Sequence, residues 1–243
     1  KISLCRKEAV MRGKKSMRNR MIRIKIASLM AGLVAAVSLE GCGLLTKSYD
    51  FTEAENSIYV EDNATIRAAM ISDFDKDYYS IDELAGVAQQ EALSFNKNVY
   101  DCSYYSYDQM TKEEKESILL PVCYEKAVVK DKKASVVFTY ANGDTYTGFN
   151  SAEIQNAGGS KLYTSQLGSS TMALSGDFVT SDGQKHISSE DLMKKTDYCL
   201  VYADYPVTVF GEHDIAYVSP NVTVLASNCA QITGNDGGYI IFK

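Results

Sequence analysis

From residue 198 to residue 242 the chain repeats one short kind of run: YCLVYA at 198–203, VTVF at 207–210, IAYV at 215–218, VTVL at 222–225 and YIIF at 239–242. Side chains that are aromatic or branched at Cβ pack well on a pleated surface and crowd a helix. Pro, Gly, Asn and Asp fall between the runs and close each one. A parallel crossover needs a dozen or more residues, but most of these runs begin about 7–10 residues apart. The spacing therefore predicts short antiparallel strands with tight connections and argues against a βαβ architecture.

The preceding part reads differently. Residues 58–72 (IYVEDNATIRAAMIS) predict one or two strands broken at Asp62-Asn63. Ser80-Ile81-Asp82-Glu83 has the form of a capping box. Behind it Ile81, Leu84, Val87, Ala88, Ala92 and Phe95 recur at helical spacing, which predicts an amphipathic helix over 81–95, with Asn96 as its end. Thr111-Lys112-Glu113-Glu114 is a second capping box, and its helix must stop before Pro121. Residues 124–129 and 134–140 flank a charged turn at 130–133 and predict a hairpin. Asn142-Gly143 marks a turn, and 144–176 carries no clear periodicity. Asp182-Gly183 is a hairpin dipeptide, and Ser188 caps a short helix over 188–196. The fold class expected is α+β: one main helix with strands in the N-terminal half, and mostly short antiparallel strands in the C-terminal half.

The first forty residues have another character. Met11, Met17 and Met21 are each credible starts, so residues before Met17 need not belong to the natural product. From Met17 the run MRNRMIRIK is basic, 26–39 (IASLMAGLVAAVSL) is apolar, and Leu39-Glu40-Gly41-Cys42 follows. That order fits an export signal. The four residues resemble the lipobox of bacterial lipoproteins, with Glu40 a departure at the tolerant position. The resemblance implies that Cys42 receives a lipid and becomes the first residue of the mature protein. It places that protein on the outer face of the bacterial cell membrane, with the bilayer as its partner through Cys42. A spanning helix is disfavoured, because Glu40 interrupts the apolar run before the roughly 20 residues needed. On this reading 1–41 is the signal, 42–57 a tether, and 58–243 one α+β domain, with 141–176 the place where two subdomains would divide. FDKDYYSIDEL and IAYVSPNVTVL also resemble stretches of uncharacterised lipoproteins of anaerobic Gram-positive bacteria, which implies no particular activity.

Removing the leader changes the charge. Residues 1–41 hold 10 of the 25 basic and 2 of the 31 acidic side chains, so 42–243 carries a net charge of −14. Such a domain is repelled by phosphate backbones, and nucleic acid is excluded as a partner class. Four cysteines remain for pairing in an exported protein: Cys102, Cys123, Cys199 and Cys229. With no Cys-x-x-Cys, neither thiol exchange nor a zinc site has its usual spacing.

Asp73, Asp75 and Asp77 invite a calcium reading, since an EF-hand loop uses oxygen ligands at its first, third and fifth positions. The sixth position is Tyr78 rather than Gly and the twelfth Leu84 rather than Glu, so an acidic entry to a helix is the better expectation. The two histidines, His186 and His213, stand in no recognised catalytic motif. A carboxylate orienting His213 would have to come from elsewhere in the chain, not from adjacent Glu212 or Asp214. The 17 tyrosines, with no tryptophan, are the best ligand signal. Tyr100, Tyr104, Tyr105 and Tyr107 offer a stacking surface for a glycan or small ligand, or else line a packed core. No cofactor is implied. The readings rank as a non-catalytic lipoprotein contacting an envelope protein, then a glycan or small-ligand binder using 97–109, then a hydrolase with paired carboxylates.

Overall fold

A computed structural model describes residues 3–4, 56–76 and 79–243. The leader from residue 5, Cys42, the tether to residue 55, and Asp77 with Tyr78 lie outside the described residues. All described residues fall within one compact unit. The fold is α+β, with its C-terminal half mostly β.

The chain begins with a short strand β1 (Ser3–Leu4), then β2 (Ser57–Val60) and β3 (Ile66–Asp73), which pair antiparallel across the turn at Asp62-Asn63. Helix α1 (Ile81–Tyr100) follows, with the Ser80 hydroxyl accepting from the Glu83 N–H as expected. It runs past Asn96 to Asp101, whose φ of 55° ends it in the left-handed region. Helix α2 (Lys112–Ser117) carries the complete Thr111–Glu114 capping box. It leads into β4 (Ile118–Leu119), which lies parallel to β1. Strands β5 (Val122–Lys130) and β6 (Lys133–Tyr140) form the expected hairpin, turning at Asp131 and Lys132 with φ of 50° and 62°.

At Asn142-Gly143 the chain bends directly into a helix. Asn142 caps helix α3 (Gly143–Phe149), its side chain accepting from the Thr145 N–H. Gly143 is required by closeness: a Cβ there would lie 2.6 Å from the Thr164 backbone nitrogen. Helix α4 (Ser151–Asn156) and strand β7 (Leu162–Gln166) then occupy the stretch that has no periodicity in sequence. Strands β8 (Asp177–Thr180) and β9 (His186–Ser188) pair across Asp182-Gly183, and Ser188 caps α5 (Ser189–Leu192). The remaining strands are β10 (Cys199–Ala203), β11 (Val207–Gly211), β12 (Ile215–Val218), β13 (Val222–Ala226), β14 (Cys229–Ile232) and β15 (Gly238–Phe242).

These strands build two sheets, one ordered β7-β10-β15-β12-β8-β9 and the other β13-β14-β11-β2-β3-β6-β5. Successive C-terminal strands do not simply fold into hairpins. The chain passes from one sheet to the other between β10 and β11, again between β11 and β12, and back to β13. Within these two sheets one pairing is parallel, β11 with β2. Antiparallel order holds through the rest of the two large sheets.

The main core lies between the inner faces. Ile58, Val60, Val207 and Val209 of one sheet meet Val201, Ile240 and Phe242 of the other. Beyond that contact the seven-stranded sheet is covered by α1 and α3, where Phe95 meets Phe149 edge-on at 5.3 Å. The opposite face of the six-stranded sheet has its own core of Phe178, Leu200 and Ile241, closed by Leu167 and Leu192. Alternation along each strand explains this division: Val201 points inward and Leu200 outward, as do Ile240 and Ile241.

Candidate functional site

The two sheets end together on one side of the core, and there a cleft of 280 Å³ opens. Val60, Glu61 and Asp62 enter it from the end of β2. Glu212 and His213 come from the loop after β11, Gln166 from β7, Asp197 from the turn before β10, Cys199 from the start of β10, Phe242 from the end of β15 and Lys243 from just beyond it. Gly211 lets the sheets close at this point, because a Cβ there would collide with the Phe242 ring.

The polar side chains at the mouth are tied together. His213 Nε2 lies 2.5 Å from Asp62 Oδ1. The Asp62 N–H donates to Glu212 Oε2 at 3.2 Å, and the Thr65 hydroxyl donates to Glu61 Oε2 at 2.6 Å. The turn holding Glu61 and Asp62 is fixed by Ala64, with φ of 65°, and by Asn63 accepting from the Thr65 N–H. The carboxylate beside His213 thus comes from a distant part of the chain, as the sequence argument requires, while its identity is not visible in any local pattern.

Cys199 forms part of this cleft but is a poor nucleophile. Burial, reinforced by the nearby Asp62 charge, pushes its thiol up to about 12, so it stays protonated at neutral pH. Among the described residues no three His, Cys, Asp or Glu side chains converge to hold a metal. The arrangement offers hydrogen-bond acceptors and negative charge: four carboxylates against one imidazole and one ammonium. That suits an organic cation.

The tyrosines are used elsewhere. Tyr100, Tyr104 and Tyr107 pack around Cys102, Met110, Leu120 and Cys123 in a satellite core beneath the 101–121 segment. Their hydroxyls are engaged within the fold. Tyr100 shares a hydrogen bond with Thr145 at 3.2 Å, Tyr104 donates to Glu114 at 2.6 Å, and Tyr107 accepts from the Leu120 N–H at 3.1 Å. Tyr105 packs against the main core, and its carbonyl accepts from the Tyr124 N–H. All four rings are half-buried, packed against these cores on one side.

Asp73 ends β3 opposite Lys133, and Asp75 bonds the adjacent Lys76, which lowers its pKa. Asp77 lies outside the described residues, and with it the three-aspartate arrangement. The four cysteines are buried free thiols. Cys102 and Cys123 share the satellite core. Cys199 lies in the main core and Cys229 on the outer face of the seven-stranded sheet, so this second pair does not meet.

No family model, no curated protein and no solved structure matches this chain.

Proposed function

We propose that the protein is a lipid-anchored module on the outer face of a bacterial cell membrane, one that binds rather than catalyses. Its acidic cleft receives a cationic group, an amine or guanidinium, of an envelope partner. The observation that carries this reading is the composition of the cleft: Glu61, Asp62, Asp197 and Glu212 surround His213 while Cys199 stays a thiol. A recess lined by one sign of charge concentrates the opposite sign, and each exposed ion pair adds only a few tenths to about 1 kcal/mol, so several must act together.

A hexa-arginine peptide titrated calorimetrically into the full chain tests the cleft. Saturable binding that weakens with salt is expected. In the double variant Asp197→Asn/Glu212→Gln it should weaken by about tenfold. Binding that ignores the double substitution would sink this part of the reading. The anchor is tested separately: Cys42→Ala should move the protein from the membrane fraction to the soluble one, and retention of the variant would remove the lipid from the account.

A further inference from the structure

Cys102 and Cys123 stand at the two ends of one excursion of the chain, which leaves α1 at Asp101 and joins β5 at Val122. Asn96 brings those ends together. Its carbonyl accepts from the Cys102 N–H at 3.1 Å, and its side chain bonds the C=O and N–H of Val122 at 2.7 and 3.0 Å. The Tyr124 N–H donates to the Tyr105 carbonyl at 2.7 Å. Cys123 therefore lies between two residues that are both tied to the start of the excursion.

Alternation then sets the direction of the side chain. Val122 and Tyr124 face the main core, so Cys123 points the other way, into the satellite core that holds Cys102. Both thiols are buried there. They also stand beside one hydroxyl. Burial pushes the Tyr107 phenol up, the Leu120 N–H opposes this, and charge on Cys123 or Cys102 would push it further up. The other two cysteines have no such neighbour, since Cys199 sits in the main core and Cys229 on the far face of the seven-stranded sheet.

We propose that Cys102 and Cys123 close into a disulfide as the chain folds outside the cytoplasm, a clasp joining the end of α1 to the edge strand β5. The proposal rests on the export reading above, because cytosolic thiols are kept reduced. The oxidant is a disulfide donor. One cysteine thiolate attacks the donor S–S bond and releases a donor thiolate; the other attacks the mixed disulfide and releases the second. The two S–H protons pass to the two donor thiolates, the cysteine sulfurs are oxidised and the donor disulfide is reduced. The exchange belongs to the folding chain, since burial in the finished fold pushes the Cys123 thiol up to about 11. Once closed, the bridge restricts residues 103–122 in the unfolded state and so favours the fold.

The test uses the full chain with Cys5→Ser and Cys42→Ser, so that only these four cysteines can react. The protein is unfolded, reduced and refolded in reduced and oxidised glutathione. Remaining thiols are then blocked with N-ethylmaleimide in denaturant, and peptides are mapped by mass spectrometry. The expected product has lost about 2 Da before blocking, with one bridge, Cys102–Cys123, and maleimide on Cys199 and Cys229. It should melt about 5–10 °C above the same protein reduced with dithiothreitol. In Cys102→Ser/Cys123→Ser the reductant should leave the midpoint unchanged. Maleimide on Cys102 and Cys123, or a bridge from either to Cys199 or Cys229, overturns the pairing; equal midpoints overturn the clasp. The reaction runs on isolated protein, so its failure is distinct from failure of the export reading, which the Cys42→Ala fractionation tests.

Discussion

Glu125 occupies the bulge of β5 and faces Arg67 across the sheet, with Nε–Oε1 and Nη2–Oε2 distances of 2.9 and 2.6 Å. Burial pushes its carboxyl up, but the Arg67 fork and the Thr139 hydroxyl outweigh this and hold it below the ordinary glutamate value. A depressed folded-state pKa stabilises the fold fully above the unfolded value, and that stabilisation disappears as pH falls through the folded one. Glu125→Gln should therefore cost about 1 kcal/mol at pH 7, and wild type and variant should converge as the pH falls through the folded-state value. Urea titrations at pH 7 and at successively more acid pH check this; a gap of constant size would contradict it. A different economy holds at Tyr140 and Tyr205, whose buried hydroxyls lack partners in good hydrogen-bond geometry. Tyr140→Phe should cost nothing or stabilise by up to about 1 kcal/mol, since it removes a desolvated polar group without removing a bond. Thermal unfolding gives the sign.

At the scale of elements, α1 packs on the core through Ala88, Ala92 and Phe95 and is tied to the sheet edge by a buried polar residue. Asn96 is fully buried; its amide donates to the carbonyls of Tyr104 and Val122 at 2.8 and 2.7 Å, and its oxygen accepts from the Val122 N–H at 3.0 Å. The side chain satisfies both backbone groups of Val122 at the sheet edge, as a neighbouring strand would. Asn96→Leu should destabilise by about 2–4 kcal/mol, and the Val122 amide should exchange its hydrogen faster. Asn ends helices often, and nothing local says that this one reaches 26 positions away to hold an edge strand. Helix caps and hairpin turns are legible because their chemistry is complete within a few residues, as at Ser80, Thr111 and Asp182-Gly183, and of the two expected capping boxes only that at Thr111 has both bonds. Strand β14 escaped notice because CAQI is too short and mixed to stand out. Asn-Gly serves both turns and helix entries, so the Asn142 cap does not stand out from a turn in sequence. The cleft was illegible: Asp62, Asp197 and His213 come together only when two sheets end side by side.

For the molecule as a whole, Gly211 is the point at which the sheets close over the cleft, with the Phe242 ring against it. Gly211→Ala should cost about 1–3 kcal/mol by overpacking and should disturb the cleft at the same time. Loss of stability together with altered peptide binding would distinguish this position from an ordinary core site. A last consequence follows from the place of β2. The first strand of the domain sits in the middle of the larger sheet, and its parallel partner is β11, with Ser57 opposite Thr208, 151 positions later. The larger sheet cannot be completed until nearly the whole chain is available. Contact order this high makes folding slow. Under the export proposed above, such delay would be useful: a chain that must be threaded through a membrane would stay open until its last strands had crossed.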